Sequence, residues 1–225
     1  MGKKEREPAM KYKCLVFDHD DTVVNSTATI HHPCFAAFLH DFYPGETMSL
    51  EEYFLQNFAP GFVPMCRERY GMTDADLEKE TRYWQAWVRE HVPTAYPGIR
   101  AIMERQKAAG GLVCVVSHSF DYNIRRDYAA NGLPEPDAVY GWERPEHERK
   151  PHPFPLEDIM RRFDLRPRDI LMIDDLKPGY DMALAAGTDF AAVGWAYDIP
   201  QIEDFMRRSS PRYFKTVREL EAWVN

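Results

Sequence analysis

Two carboxylates stand two residues apart directly after a short apolar run. The run is Cys14–Phe17, Asp18 and Asp20 follow it, and Thr22 comes two residues later. An uninterrupted apolar run of this length is typical of a buried strand. Ligands of open α/β sheets bind beyond the carboxyl ends of the strands, so Asp18 stands where such proteins do their chemistry. Taken alone, the pattern also fits an acidic turn without a function. Whether it forms a functional site depends on polar residues elsewhere in the chain that could lie beside it.

Further polar groups stand at the ends of later strand-like runs or in the loops that follow them: Ser117, Lys150, Asp174 and Asp175. Parallel strands joined by right-handed crossovers bring such ends to one edge of a sheet. Clustered carboxylates repel one another, so a cation is needed to keep them ionised. Oxygen ligands favour a hard ion such as Mg²⁺, and lysine and serine suit the oxygens of a phosphate group.

Each of these groups also has an ordinary structural explanation. Ser117 alone could cap the next helix, and Lys150 alone could be a surface lysine. The acidic pair at 174 and 175 could be charges at a helix N-terminus. Their joint order along the chain favours a shared site over these separate explanations.

The elements that must position these groups alternate between strands and helices. Apolar runs predict further strands at Leu112–Val116, Ala138–Tyr140, 170–173 and 190–193. Helices are predicted between them, for example over Asp121–Ala130 and from about residue 156 to 163, where apolar residues recur with helical spacing. This order predicts an α/β fold with a parallel sheet.

Residues 28–95 have a different pattern. Strand-like runs are scarce there, and amphipathic helices are predicted at 33–42, Leu50–Phe58 and 74–92. Tyr96-Pro97-Gly98 restores the strand–helix alternation. We therefore expect one core domain formed by residues 11–27 and 96–225, with a small all-helical domain of residues 28–95 inserted after the first strand.

Composition restricts the classes of partner. The chain of 225 residues carries a formal net charge of −8, which argues against a nucleic-acid-binding protein. Its four cysteines show no metal-ligand spacing, and a reducing cytoplasm is the simplest expected location. No signal peptide and no apolar span of membrane length is apparent, so no membrane association is expected. The oligomeric state is left open between monomer and homodimer.

Together, these motifs resemble those of the haloacid dehalogenase superfamily, in particular its phosphatase and β-phosphoglucomutase-like members with a helical C1-type cap. Residues 18–22 resemble the first motif, Ser117 the second, Lys150-Pro151 the third and Asp174-Asp175 the fourth. The resemblance covers most of residues 13–194. It implies a Rossmann-like parallel sheet as the core domain, a cap formed by residues 28–95, and Mg²⁺ as cofactor.

The resemblance also implies roles for individual residues. Asp18 would be the nucleophile that forms an aspartyl-phosphate. Asp20 would protonate the leaving oxygen and then activate water. Ser117 and Lys150 would bind the phosphoryl group, and Thr22, which would help to hold the loop, is counted with them as a phosphate-binding residue.

The expected metal ligands are Asp18, Asp20 (through its backbone carbonyl), Asp175 and Asp174. Counting back from Ala185-Ala186-Gly187 makes Asp175 the first choice within its pair. The chain departs from the family pattern at two positions, because Asp21 and Asp174 stand where glycine is common. A β-turn tolerates Asp, so Asp21 is expected to have modest consequences.

The expected activity is Mg²⁺-dependent hydrolysis of a small phosphorylated metabolite. A phosphomutase of the β-phosphoglucomutase type would use the same intermediate and remains an alternative. A phospho-accepting regulatory domain of the receiver type is disfavoured, because such domains are about half as long and have no helical insert. His31, His32 and His118 are candidates for contacts with the leaving group, and cap residues would determine which substrate is used.

Overall fold

The computed structural model describes residues 11–210 and 212–224. Eight strands are present in this part of the chain: β1 Cys14–Phe17, β2 Val24–Asn25, β3 Thr94–Ala95, β4 Leu112–Val116, β5 Ala138–Tyr140, β6 Ile170–Asp174, β7 Asp189–Val193 and β8 Tyr213–Phe214. The helices are α1 His32–Phe42, α2 Leu50–Phe58, α3 Phe62–Tyr70, α4 Asp74–Glu90, α5 Ile99–Ala108, α6 Asp121–Ala130, α7 Phe154–Phe163, α8 Lys177–Ala186, α9 Pro200–Ser209 and α10 Val217–Val224. A π-helical turn, Thr27–His31, leads directly into α1.

Six strands form one parallel sheet in the order β5-β4-β1-β6-β7-β8. Alternate side chains of β1 enter two separate apolar clusters, Leu15 and Phe17 on one face and Cys14 and Val16 on the other. Burial on both faces explains the uninterrupted apolar run of this strand, because neither face meets water. The predicted α/β fold with a parallel sheet is therefore confirmed.

The register of the sheet aligns the strand ends that matter. Phe17 pairs with Val115 of β4 on one side and with Ile173 of β6 on the other. Asp18 therefore leaves the sheet beside the ends of both neighbouring strands, where Ser117 and Asp174 are found.

Four helices, α1 to α4, lie between the short antiparallel strands β2 and β3. They pack around their own small apolar core, which includes Phe35, Phe38 and Met65. Capping boxes begin two of them: Ser49 with Glu52 at α2, and Thr73 with Asp76 at α4. Separate burial and local capping let this helical unit fold beside the sheet without contributing strands to it.

The positions of most predicted elements agree with the structure, and the differences have local causes. Helix α4 ends at Glu90, two residues before the predicted end at residue 92, because the chain ahead of Pro93 is already extended at His91. Helices α3 and α9 and strands β2, β3 and β8 were not predicted. Within the described ranges, no helix combines the length and apolar composition that a membrane span requires.

Candidate active site

Lys150 connects two strand ends at the floor of a cleft. Its ammonium lies 2.7 Å from Oδ1 of Asp18 and 2.9 Å from Oδ2 of Asp174, and all three side chains are buried. Burial lowers the pKa of a lysine, but here the two carboxylates outweigh it and raise the pKa. Lys150 is therefore a fixed positive charge between the first and fourth motifs.

Asp174, the last residue of β6, and Asp175, which follows it, have different surroundings. Asp174 accepts hydrogen bonds from Lys150 and, at 2.8 Å, from the backbone N–H of Leu176. Asp175 accepts a 3.2 Å hydrogen bond from Thr22 at Oδ1, but its buried Oδ2 has no partner within the described chain. Burial, reinforced by the charge of Asp174, raises the pKa of Asp175 well above its usual range.

These carboxylates fit a divalent cation. Asp18, Asp174 and Asp175 each offer an oxygen such that the three atoms lie within 4.8 Å of one another. Burial raises the pKa of Asp18 to about 7, with Asp174 and Asp20 adding to the effect against the attraction of Lys150. A hard cation beside the unpartnered oxygen of Asp175 would remove the cost of keeping these groups ionised.

Asp20 is held by a set of donors from three segments. Ser119 Oγ lies 2.6 Å from its Oδ2, and Ser26 Oγ and His31 Nε2 lie 2.7 and 2.9 Å from its Oδ1. Burial opposes ionisation of Asp20, but the contacts with His31 and Ser119 outweigh it and hold its pKa well below the usual range. Ser117 contributes a longer 3.4 Å contact to the same carboxylate.

A residue of the helical insert sets the orientation of His31. The indole N–H of Trp84 on α4 donates a 3.0 Å hydrogen bond to Nδ1 of His31. Because Nδ1 accepts this bond, Nε2 carries the ring proton and donates to Asp20. Helix α4 is thus connected to the candidate acid–base residue through a chain of two hydrogen bonds.

The loop after β1 makes a tight turn that explains a departure from the family pattern. Asp21 has φ of +60°, the left-handed conformation that favours glycine. Aspartate is among the few other residues that adopt it readily, and Asp21 also accepts a 3.2 Å hydrogen bond from the N–H of Thr27. The expectation that Asp is tolerated at this position agrees with this geometry, although the role of a left-handed φ was not foreseen.

The predicted site residues do not all lie on the cleft. Asp18, Asp20, His31, Ser117, His118, Lys150 and Asp175 line it. Thr22 does not: it is fully buried behind the cleft and donates to Asp175, so the structure gives it a role in holding the loop and not a phosphate contact. Nor does His32, whose Nε2 lies 2.8 Å from the backbone carbonyl of Met48 within the cap. Asp174 lies beneath the cleft, which leaves Asp175 as the more accessible of the pair.

His118 lines the cleft as a neutral ring. Its Nε2 lies 2.9 Å from the backbone carbonyl of Lys150. Burial, together with the nearby ammonium of Lys150, lowers the pKa of His118 to about 4. This side chain therefore adds no positive charge to the site at neutral pH.

Two contacts of the site were missed from the sequence. Ser119 and Ser26 both donate to Asp20, although neither was singled out. Ser119 could have been found, since it stands two residues beyond Ser117 at the same strand end. Ser26 gives no such signal, because its approach depends on the turn around Asp21.

The comparisons with known proteins agree with this geometry. Residues 15–193 match the family model described as haloacid dehalogenase-like hydrolase. A phosphoglycolate phosphatase of Haemophilus influenzae (strain 86-028NP) is 25% identical over 206 residues, covering 86% of this chain and 91% of the relative. Pyrophosphatase PpaX of Bacillus thuringiensis (strain Al Hakam) is 27% identical over 191 residues, covering 83% and 85%.

The fold is also that of solved structures. A predicted phosphoglycolate phosphatase from Haemophilus somnus 129PT superposes with a TM-score of 0.78 at 19% identity, covering 96% of this chain and all of the other. The family model spans both the strand that leads to Asp18 and the strand that leads to Asp174. The chain belongs to the haloacid dehalogenase-like hydrolase family.

Proposed function

We propose that this protein is a Mg²⁺-dependent phosphatase that hydrolyses a small phosphorylated metabolite through phosphorylated Asp18. The observation that carries the proposal is the contact of Lys150 with both Asp18 and Asp174 at the floor of the cleft. A buried ammonium beside a carboxylate nucleophile attracts a phosphate dianion to the position where that carboxylate can attack it. The names of the relatives support a phosphate ester or anhydride as substrate class.

Asp18, Asp174, Asp175 and the backbone carbonyl of Asp20 would hold the metal. Bound there, Mg²⁺ supplies the positive charge that lets carboxylates and a phosphate dianion share one site. The buried, unpartnered oxygen of Asp175 is the feature of this chain that supports a cation at this position.

The chemistry proceeds in two displacements at phosphorus. In the first, a carboxylate oxygen of Asp18 bonds to phosphorus while the bond to the leaving oxygen breaks, and Asp20 gives that oxygen a proton. In the second, Asp20 takes a proton from water, which attacks the phosphorus and releases inorganic phosphate and the free Asp18 carboxylate. An incoming phosphate dianion raises the pKa of Asp20, which favours the protonated form needed for the first displacement.

The helices between β2 and β3 would act as the cap, with residues 28–95 covering a core of residues 11–27 and 96–225. Contacts between aromatic residues of the helical insert and of the core support this arrangement. The ring of Trp84 on α4 lies 5.6 Å from that of Phe120 at the start of α6, and Phe54 on α2 lies 4.7 Å from Tyr197. Closure of the cap over a bound phosphoryl group would control when water enters.

The experiment is an assay of p-nitrophenyl phosphate and a panel of phosphorylated metabolites with Mg²⁺ and with EDTA. We expect turnover with Mg²⁺, loss of turnover in EDTA, and a loss of at least about 10³-fold in Asp18→Asn. Asp204→Asn, an exposed aspartate on α9, is the matched control and should keep full activity. A loss below tenfold in Asp18→Asn would argue against the proposal.

The same panel separates the alternative activity. A hexose 1-phosphate supplied with a sugar bisphosphate primer would give an isomerised product if the protein were a mutase. Release of inorganic phosphate without isomerised product is the result expected for the phosphatase.

A further inference from the structure

A buried carboxylate of the cap lies on the cleft and has no role in the chemistry described so far. Glu80, in the middle of α4, lines the cleft although only 7% of its surface is exposed. Among the residues that the structure describes, none forms a hydrogen bond with its side chain. Burying a carboxylate without a partner is costly, and here burial raises the pKa of Glu80 to about 7.

The position of Glu80 on the helix is also unusual. Leu77 and Trp84, three residues before and four after it, share its helix face and also line the cleft. A side chain chosen for packing alone would be apolar at this position. Glu80 is therefore a carboxylate on the cleft whose neighbours on the same helix face, Leu77 and Trp84, are both apolar.

Glu80 lies on the side of the cleft where the leaving group must sit. Trp84, one helical turn after Glu80 on the same helix face, donates a hydrogen bond to His31, and His31 in turn bonds to Asp20. Asp20 is the residue that would protonate the leaving oxygen. The alcohol part of a bound phosphate ester therefore extends from Asp20 towards His31 and Glu80.

The cap offers this alcohol no cationic side chain that lacks a carboxylate partner. Within residues 28–95, the side chains that line the cleft are aromatic, aliphatic, amide or hydroxyl groups, together with His31, which is paired with Asp20, and the carboxylate of Glu80. The cationic side chains on the cleft belong to the core: Lys150 bonds to Asp18, and Lys177 is paired with Asp181 on its own helix. An alcohol that carried a carboxylate or second phosphate would meet Glu80 with no unpaired cation from the cap to balance it.

We propose that Glu80 selects phosphate monoesters whose alcohol part is uncharged or cationic and presents a hydrogen-bond donor to its carboxylate, such as a hydroxyl or an ammonium group. This inference rests on the proposed phosphatase function and specifies its substrate class. A cleft of about 650 Å³, lined by rings such as Phe58, Phe62 and Trp84, has room for an alcohol with an apolar portion as well. Phosphoglycolate and inorganic pyrophosphate, which carry a second anionic group, are excluded as preferred substrates.

Three phosphate esters of two-carbon alcohols test this charge selection directly. Phosphoethanolamine ends in an ammonium group, 2-hydroxyethyl phosphate in a hydroxyl, and phosphoglycolate in a carboxylate, so size is held nearly constant. We expect kcat/KM of the wild-type protein for each of the first two to exceed that for phosphoglycolate by at least about tenfold. In Glu80→Gln, the preference for phosphoethanolamine over phosphoglycolate should fall by about tenfold, because the amide keeps the shape but loses the charge.

The matched control is Glu78→Gln, the same change two residues away at an exposed position of α4 where Glu78 pairs with Arg82. It should leave the order of the three substrates and their ratios unchanged. An equal ratio of phosphoethanolamine to phosphoglycolate in the wild type and Glu80→Gln would overturn the inference. So would a wild-type preference for phosphoglycolate, a result that does not depend on whether Glu80→Gln folds.

Failure of the inference is distinguishable from failure of the proposed function. Turnover of p-nitrophenyl phosphate that is lost in Asp18→Asn, together with a preference for phosphoglycolate, would contradict the role of Glu80 alone. No turnover of any ester in the presence of Mg²⁺ would contradict the phosphatase function and the substrate class with it.

Discussion

The ammonium of Lys150 lies 2.7 Å from Oδ1 of Asp18, across 132 residues of sequence. Both side chains are buried, and Lys150 also neutralises Asp174. The site is therefore assembled around one cation supplied by the protein, and the proposed Mg²⁺ would be a second cation beside Asp175.

Replacing Lys150 by Met should damage both stability and catalysis. The change leaves Asp18 and Asp174 buried without their shared partner, and removing one member of a buried ion pair typically costs about 3–5 kcal/mol. We expect a loss of about 3 kcal/mol in the free energy of unfolding in EDTA, measured with urea, and a partial recovery when Mg²⁺ is added. Equal stability of Lys150→Met and the wild type in EDTA would contradict this account of the ion pair.

Gly179 of α8 packs directly against the acidic pair. A Cβ at this position would lie 2.0 Å from Oδ2 of Asp174, which no rotamer change of a buried side chain can easily relieve. Alanine normally stabilises a helix interior by about 1 kcal/mol relative to glycine. Here we expect the reverse: Gly179→Ala should lower the melting temperature, reduce kcat by at least about tenfold and raise the Mg²⁺ concentration needed for half-maximal activity.

The control for this effect is Leu184→Ala on the same helix, where the side chain is 66% exposed. It should change neither the Mg²⁺ requirement nor kcat. A Gly179→Ala protein with wild-type activity and higher stability would show that Asp174 does not have to stay where the structure places it.

His31 should matter for turnover more than for substrate binding at the floor of the cleft. Its Nε2 donates to Asp20, so His31→Ala removes one of the donors that orient the candidate acid–base residue. We expect kcat for p-nitrophenyl phosphate to fall by about tenfold or more. Trp84→Phe, which removes the hydrogen bond to Nδ1 of His31 but keeps an aromatic ring at this position, should give a smaller loss.

The comparison for His31 is His40→Ala, a change of a histidine on α1 whose side chain is 88% exposed. Its kcat should stay at the wild-type value. If His31→Ala and His40→Ala were equally active, the hydrogen bonds that connect the cap to Asp20 would have no catalytic role.

Glu80 makes stability depend on pH with a definite sign. Its pKa is raised to about 7 in the folded protein, so the folded state binds the proton more tightly than the unfolded state does. The resulting cost is nearly absent below the ordinary pKa of a glutamate, grows as the pH rises, and is complete above about pH 7.

Measured with urea at saturating Mg²⁺, the stability of Glu80→Gln relative to the wild type should therefore increase by about 2–3 kcal/mol between pH 5 and pH 8. Glu78→Gln, the exposed control, should show no such change. A constant difference between Glu80→Gln and the wild type across this range would mean that Glu80 titrates like an exposed carboxylate.

The sheet and its strand ends could be predicted from the sequence because each strand is an apolar run buried on both faces. The predicted runs at Cys14–Phe17, Leu112–Val116 and Ala138–Tyr140 coincide with strands in the structure. Their order along the chain then fixed which polar residues share an edge. Lys150 lies in a proline-rich loop without periodicity, so only the position of that loop after a predicted strand indicated that this lysine belongs to the site.

In the insert, helices α1, α2 and α4 were predicted close to their observed bounds, and α3 was missed. Helix α3 begins with Phe62-Val63-Pro64 and shows only a weak amphipathic pattern. The position of Glu80 is unusual in the sequence itself, because its spacing from Leu77 and Trp84 puts a carboxylate on the apolar face of the predicted helix. The pattern could not show whether this stripe faces the core of the insert or the cleft, because both surfaces are apolar.

The most direct measurement is the detection of a phosphorylated enzyme during turnover. The protein would be mixed with excess p-nitrophenyl phosphate and Mg²⁺, quenched in acid within the first turnovers, digested and analysed by mass spectrometry. The account predicts an acid-stable, hydroxylamine-labile phosphoryl group on the peptide that contains Asp18, and its absence in Asp18→Asn. Steady turnover by a wild-type protein that never carries phosphate on Asp18, or a phosphoryl group that persists in Asp18→Asn, would contradict it.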